Sequence, residues 1–477
     1  MTRPFWLAGI AMLGWISPLP AAEPALMLDE VLESSATHFP AILQGLASRR
    51  AAAGTAMEAL GAFDLVFDAN GFSRLSGFYD GTAAGGTVRQ RVRPLGADLY
   101  AGYKISDGTF PVYEDENFTN LGGAVRVGLM FSLLRDREID DRRFAERDAE
   151  LGLRAADLDL MLTRIGVQQR TQVSYWRWVT QVRKLRVYEN LLDIARTRQT
   201  GLERQVQQGA RAAIFLTENL QNIMRRESLV RTAERNVAVA ANELSLFYRD
   251  GSGAPLAPGP ERIPPGEEIA EISELARVNE TVVPEALDKR PELALLRNAV
   301  ERERNRIALA ENNMKPRIDL GMEVQTGLGG VGEGGVSRDS TDTIVGFTFN
   351  VPLQRRAEKG RLARSQAELS ARLEEQRLTE DRIQLEIRNV LVDLQTSRDL
   401  LLIATQEVQQ AEIMRVSELR RFESGASDFF LVNVREEVAA DARIKQIEAE
   451  LATRLARANF DAASVDLDRL GLTGRVY

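Results

Sequence analysis

The 477-residue chain carries 61 Lys and Arg against 69 Asp and Glu, a formal net charge of −8, so it presents no basic surface for a phosphate backbone. It has no cysteine and one histidine, His38. That excludes disulfides, thiolate metal sites, a cysteine nucleophile and any triad or cluster built on histidine.

The first 22 residues read as an export signal. Arg3 supplies a short positive region, Phe5 to Ile16 an apolar run, and Pro18-Leu19-Pro20 a break before Ala21-Ala22, where cleavage is expected. The run is too short to span a bilayer comfortably. N-terminal lipidation needs a cysteine after the signal, so none is expected. No later apolar run is long enough for a transmembrane helix, and entry into a membrane would therefore require a closed barrel.

The mature chain divides into a first repeat over 23–248, a Pro/Gly-rich linker or equatorial segment over 249–284, and a second repeat over 285–477. In the first repeat, Val125, Val127, Leu129, Phe131 and Leu133 alternate with Arg126, Gly128, Met130 and Ser132, the period of a two-faced strand. The segment before it, about Asp80 to Asn120, is long and contains the strand-like Leu99 to Ile105. A helix is then expected from about Asp136 to Gln208, uninterrupted by proline, reaching roughly 100 Å at ~1.5 Å per residue. Gly209 breaks it, and a second helix returns.

The second repeat follows the same order. Ile318, Leu320, Met322 and Val324 share a strand face, and Val345, Phe347, Phe349 and Val351 share another. The connecting segment Gly327 to Thr343 is glycine-rich and shorter. A helix from about Arg355 to Ser424 ends at Gly425. Val127/Val345, Gly128/Gly346, Phe131/Phe349, Ala145/Ala363, Ala149/Ala367 and Glu150-Leu151/Glu368-Leu369 coincide without a gap, so the halves are internal repeats.

The helices carry coiled-coil seams. Ile383, Ile387, Val390, Leu394, Ser397, Leu401, Ala404, Val408 and Ala411 alternate steps of four and three. So do Leu216, Leu220, Ile223, Glu227, Val230, Ala233, Val237, Ala240, Leu244 and Phe247, and Leu185, Tyr188, Leu192 and Ala195 form a third seam. A sustained average of about 3.5 residues keeps one seam facing a partner helix. Strand alternation alone fits either a soluble sandwich core or a barrel wall facing lipid.

The chain resembles the TolC-like outer-membrane efflux factors. Arg290-Pro291-Glu292-Leu293 enters a helix, and Lys315-Pro316-Arg317-Ile318 marks a helix-to-strand junction. Val351-Pro352-Leu353 leaves a strand, and Phe422-Glu423-Ser424-Gly425-Ala426-Ser427 forms the second hairpin tip. The resemblance implies a mainly α fold with β: a homotrimer whose subunits each give four strands to a transmembrane β-barrel, continued by a long coiled-coil α-helical periplasmic barrel. It implies a passive outer-membrane conduit of a tripartite efflux or type I secretion system. The implied partners are a periplasmic adaptor (membrane fusion protein), an inner-membrane pump or ABC transporter, and outer-membrane lipid, with no cofactor.

By the same resemblance, Gly209, Ala212, Gly425 and Ser427 match turn positions offered to an adaptor, although a turn alone also accounts for the glycines. Family members narrow the tunnel with acids just after the second tip. Here apolar residues stand at those positions, leaving Asp428 as a displaced acid or Phe429 and Phe430 as an apolar constriction. A surface acid and two seam aromatics are the plainer alternative.

Other motifs carry less. Gly327-Leu328-Gly329-Gly330-Val331-Gly332 fits a dinucleotide fingerprint but lacks the helix that must follow, so a flexible loop is expected. Asp136, Glu138, Asp140 and Asp141 lie among Arg135, Arg137, Arg142 and Arg143 at a helix start, which reads as a mixed-charge face. Trp176 and Trp178 read as packing residues of the helical wall. No enzyme reading survives. The alternative to a channel is a soluble periplasmic coiled-coil structural or adaptor protein.

Overall fold

The computed structural model describes residues 24–265, 282–332 and 340–474. The expected signal, much of the linker and part of the Gly327–Thr343 segment lie outside the described residues. Helices α1 (Leu28–His38) and α2 (Pro40–Leu60) precede strands β1 (Val66–Ser73), β2 (Thr82–Val92), β3 (Ala97–Asp107) and β4 (Ala124–Ser132). Helices α3 (Asp141–Gln207) and α4 (Ile214–Ser245) complete the first half. The second half runs α5 (Val282–Lys289), α6 (Pro291–Asn313), β5 (Arg317–Gly327), β6 (Thr341–Asn350), α7 (Arg356–Glu423) and α8 (Phe429–Ala463).

The two longest helices of the described residues are nearly equal in length. The first, α3, has 67 residues and α7 has 68. Most of the seam expected on α7 is buried: Ile383, Ile387, Leu394, Ser397, Leu401, Ala404 and Ala411, while Val390 and Val408 are half-buried. On α4 it holds from Val230 through Ala233, Val237, Ala240 and Leu244. Closer to the turn the buried positions are Asn219 and Arg226, one residue off the expected Leu220 and Glu227, because both polar groups have partners inside the bundle.

The chain forms two compact units, each drawing segments from both halves. One comprises residues 24–35, 170–265 and 394–458, a helical bundle with paired antiparallel helices. Asn219 Nδ2 on α4 donates to the Ala195 carbonyl of α3 at 3.0 Å, and Arg226 Nη1 donates to the Leu191 carbonyl at 2.8 Å. Thr453 Oγ1 on α8 donates to the Ser397 carbonyl of α7 at 3.2 Å. Trp178 is fully buried here, and Arg454 lies 4.3 Å over the buried Trp176 ring, which places both indoles in helix packing.

The other unit comprises residues 36–169, 282–393 and 459–474 and contains the sheet. Its helices are tied by Arg302, whose guanidinium meets the Asp148 carboxylate at 2.7 and 2.8 Å and holds that carboxyl below its ordinary range. Asn298 Nδ2 donates to the Leu151 carbonyl at 2.8 Å. All six strands form one antiparallel sheet in chain order. The resemblance implies four strands per subunit, and the sheet has six. Repeat equivalence matches β1 with β5 and β4 with β6, so β2 and β3 are the addition, built from the long Asp80–Asn120 segment.

The corner between β4 and α3 anchors this added hairpin. Asp136 adopts a left-handed backbone, φ 67°, which delays the helix from the expected Asp136 to Asp141. Asn312 holds the corner by accepting from the Asp136 N–H at 3.0 Å and donating to its carboxylate at 3.0 Å. Asp140 caps the helix, its Oδ1 accepting from the Arg143 N–H at 2.8 Å. Asp136 and Asp140 are therefore a corner group and a cap. The buried Arg143 guanidinium donates to the carbonyls of Arg93, Arg137 and Asp136 and to the Asp140 carboxylate. Arg93 and Gly96 form the β2–β3 turn, and Gly96 sits so close that a Cβ there would lie 2.4 Å from the Asp136 carbonyl oxygen.

Removing the Arg143 fork strands three carbonyls and a carboxylate. Arg143→Ala is expected to cost about 3 kcal/mol, read as a lowered melting temperature of the purified protein. Arg143→Lys should recover less than half of the loss, since one ammonium cannot span the acceptors. An unchanged melting temperature for Arg143→Ala would show that the corner does not depend on this fork.

Candidate functional site

The sheet registers decide which side chains share a face. Phe67 pairs with Val88, Val88 with Ala101, Ala101 with Val127, Val127 with Val324 and Val324 with Thr343. A second row runs Gln90, Leu99, Leu129, Met322 and Val345, and a third Phe131, Leu320 and Phe347. Because side chains alternate with period two, these rows define one face across all six strands. Among the described residues the only charge on it is Asp107, at the end of β3. Its large apolar members are uncovered: Phe67, Leu99, Tyr103, Val127, Met322, Val345 and Phe349 are exposed, and Phe347 is 77% exposed.

The opposite face collects the charges: Asp68, Arg89, Arg91, Asp98, Lys104, Arg126, Arg317, Asp319, Glu323 and Asp342. Side chains there reach across a strand. Tyr100 Oη on β3 donates to Glu323 Oε2 on β5 at 2.5 Å, passing over Gly128 of β4. A Cβ at Gly128 would lie 2.2 Å from the Tyr100 ring, so only glycine permits the crossing. Arg126 on β4 reaches Thr87 on β2 at 3.4 Å past Gly102 of β3. Ser132 Oγ donates to the Asp319 carboxylate at 2.8 Å.

The loops beyond the strands interlock. The Leu121 N–H donates to the Gly330 carbonyl at 2.9 Å, and the Gly122 N–H to the Leu328 carbonyl at 2.7 Å. The 327–332 glycines thus serve strand and loop pairing and open no helix; 333–339 lie outside the described residues.

The helical turns form the second surface. Gly209 has φ 72° and Gly425 φ 76°, a region that costs a Cβ-bearing residue. The Ala210 N–H donates to the Gln205 carbonyl at 2.8 Å and the Ala426 N–H to the Arg421 carbonyl at 2.8 Å. With the shorter-range bonds from Gly209 to Val206 and Gly425 to Phe422, both ends are Schellman caps. Gly209, Ala212 and Gly425 are exposed. Ser427 is half-buried, its hydroxyl donating to the Glu418 carboxylate.

Asp428 Oδ1 accepts from the Leu431 N–H at 2.9 Å and caps α8. Phe429 is fully buried, its ring 5.9 Å from Phe215 and 6.0 Å from Phe422. Arg198 lies 5.6 Å over the Phe429 ring, and Arg211 lies 4.5 Å over Phe422. Phe430 is 64% exposed. The two turns thus share an aromatic and guanidinium cluster whose Phe215 and Arg211 no sequence pattern singles out.

Sequence reasoning also passes over a buried charge cluster. Glu436 on α8 and Arg226 on α4 are each 1% exposed at their side chains and 3.0 Å apart. Arg198 on α3 approaches the same carboxylate with both terminal nitrogens and donates to Asn433 Oδ1 at 3.0 Å. Burial pushes the Arg226 pKa down, and Glu436 opposes the shift. A cavity of about 490 Å³ adjoins this carboxylate, lined also by Arg183, Arg415, Arg443 and Glu450. The only sequence signal is an i to i+7 spacing from Asn219 to Arg226 in an otherwise apolar register.

Comparison with known proteins fits this architecture. Residues 282–464 match the family model described as outer membrane efflux protein. That model covers less than half of the chain. A membrane protein from Pseudomonas aeruginosa matches with a TM-score of 0.63 at 16% identity, over 97% of this chain and 99% of that one. The CmeC outer membrane channel of Campylobacter jejuni matches at 0.60 and 14% identity, over 97% and 94%. The outer membrane protein VceC from Vibrio cholerae matches at 0.59 and 16% identity, over 92% and 95%. At these identities the likeness is one of fold. No curated protein matches the sequence. Among the described residues, no helix is long and apolar enough to cross a membrane.

Glu436→Ala leaves two guanidinium groups without their shared carboxylate inside the bundle. It is expected to cost about 3–5 kcal/mol, seen as a lowered thermal midpoint. Glu234→Ala removes an exposed pair with Arg231 and should cost less than about 0.5 kcal/mol. Equal effects of the two variants would contradict a structural role for the buried cluster.

Proposed function

We propose that this chain is the outer-membrane conduit of a tripartite efflux or type I secretion system, a passive channel between periplasm and exterior. Three copies form the channel, their sheets in the membrane and their long helices on the periplasmic side. The observation that carries the reading is the apolar sheet face, whose one charge among the described residues, Asp107, stands at the end of β3. Water would leave such a face exposed at a steep hydrophobic cost, whereas lipid is its natural contact, with the charged face lining water.

The family-model match over 282–464 and the likeness of fold support the partners. A periplasmic adaptor contacts the turns at Gly209, Ala212, Gly425 and Ser427, three of which are exposed. An inner-membrane pump or ABC transporter supplies the energy. In this reading the exposed Phe430 narrows the passage beyond the second turn, with Asp428 held at the start of α8 by its capping bond. Phe429 contributes by fixing the turn from within the aromatic cluster. The sequence has no cysteine, so the reading includes no N-terminal acyl anchor.

The test is a charge placed on each face of β4. Val127→Arg puts a guanidinium at mid-strand on the apolar face, at a cost of about 2–4 kcal/mol in a bilayer, and should sharply reduce recovery in the outer-membrane fraction. Met130→Arg, on the charged face, should be recovered at wild-type levels. Equal recovery of both variants, or wild-type recovery as a soluble periplasmic monomer, would overturn the reading in favour of a soluble coiled-coil protein.

A further inference from the structure

The structure assigns to this chain a barrel of eighteen strands, six from each of three copies, closed by pairing of β6 on one copy with β1 of the next. The inference rests on the channel reading above and departs from the four strands per subunit that the family resemblance implies. Three observations carry it.

First, β2 and β3 are structural members of the sheet and not an appended hairpin. They lie between β1 and β4 in the hydrogen-bonded order. Each has 11 residues, the length that a tilted strand needs to cross a bilayer, about 9–11. Their registers continue the apolar face without a charge until Asp107: Ala84, Val88 and Val92 on β2, and Leu99, Ala101, Tyr103 and Ile105 on β3. On the charged face, the Tyr100–Glu323 and Arg126–Thr87 bridges stitch β3 and β2 to the strands that both repeats possess.

Second, both edges require a partner. Every residue of β1 and of β6 is exposed in the single chain, and the apolar face reaches both edges through Phe67 on β1 and Phe347 and Phe349 on β6. An unpaired edge inside a hydrocarbon core leaves its N–H and C=O groups unsatisfied, which lipid does not tolerate.

Third, the strand count gives the right polarity. With an even number of antiparallel strands, β1 and β6 run in opposite directions, so β6 meets a rotated copy's β1 antiparallel like every other neighbour in the sheet. Head-to-tail pairing of this kind closes into a ring under rotation. Barrel diameter grows about linearly with strand number, so eighteen strands make a lumen roughly half again as wide as twelve.

The absence of native cysteine makes the test direct. Single cysteines are placed at Val88 and Leu99 on the apolar face, at Arg91 and Lys104 on the charged face, and at Val324 and Gln325 of β5 as a reference pair. The full-length trimer in liposomes is treated with a membrane-impermeant maleimide and imaged by electron cryomicroscopy for the strand count. The inference predicts eighteen strands, with Arg91→Cys and Lys104→Cys labelled at least about tenfold faster than Val88→Cys and Leu99→Cys, because the lipid core excludes water and reagent. If β5 alternates but the β2 and β3 positions all label alike, with twelve strands counted, the inference fails while the channel stands. If Val324→Cys and Gln325→Cys also label alike, the channel reading itself fails.

Discussion

Backbone hydrogen bonding is the constraint on which the rest of this structure depends. A sheet with one apolar face across six strands can present that face to lipid only if every strand has a neighbour on each side. Within one chain β2 to β5 meet this condition and β1 and β6 do not. The single subunit is therefore an incomplete object. In the proposed channel, its edges, its uncovered phenylalanines and its even strand number form an interface with further copies.

The added hairpin is integrated by ordinary chemistry at three levels. Its register continues the apolar rows, glycines at 102 and 128 let long polar side chains bridge over the intervening strand, and Arg143 binds its turn to the start of α3. No one of these contacts is unusual. Together they convert a long insertion into wall, which is why the second repeat, with its shorter connection, keeps only two strands.

In the helical bundle the 3.5-residue period does most of the work, and small seam residues such as Ala233, Ala240 and Ala404 allow close approach. The exceptions are informative. Near the turns the seam changes from apolar to polar, and Asn219, Arg226 and Glu436 replace hydrocarbon contacts by directed bonds. Breaking a buried charge network is costly while replacing it by apolar packing often is not, so such a cluster is better understood as fixing register than as adding stability. The paired Schellman caps at Gly209 and Gly425 show the repeat preserved down to individual carbonyls.

Much of this was legible in the sequence for physical reasons. Long proline-free stretches with four-three spacing have few alternatives to coiled-coil helices, and alternating Val, Leu and Phe in β4, β5 and β6 announce two-faced strands. Leu99 to Ile105 was readable as a strand in β3 on the same ground. Its partner β2 was not. Thr82-Ala83-Ala84-Gly85-Gly86 has neither β-branched density nor alternation, and its conformation comes from neighbours on both sides. The seam position of Arg226 was hidden likewise, because its burial depends on Glu436, more than 200 residues away. Turn glycines were visible, but the Phe215, Phe422 and Phe429 cluster beneath them needs three-dimensional contact to be seen.

The central claim is that the sheet edges are closed by copies of the chain, and amide hydrogen exchange of the purified oligomer in lipid tests it most directly. The account predicts that the amides of β1 and β6 are protected to the same degree as those of β3 and β4. Rapid exchange along β1 and β6, with β3 and β4 still protected, would mean open edges and would contradict it.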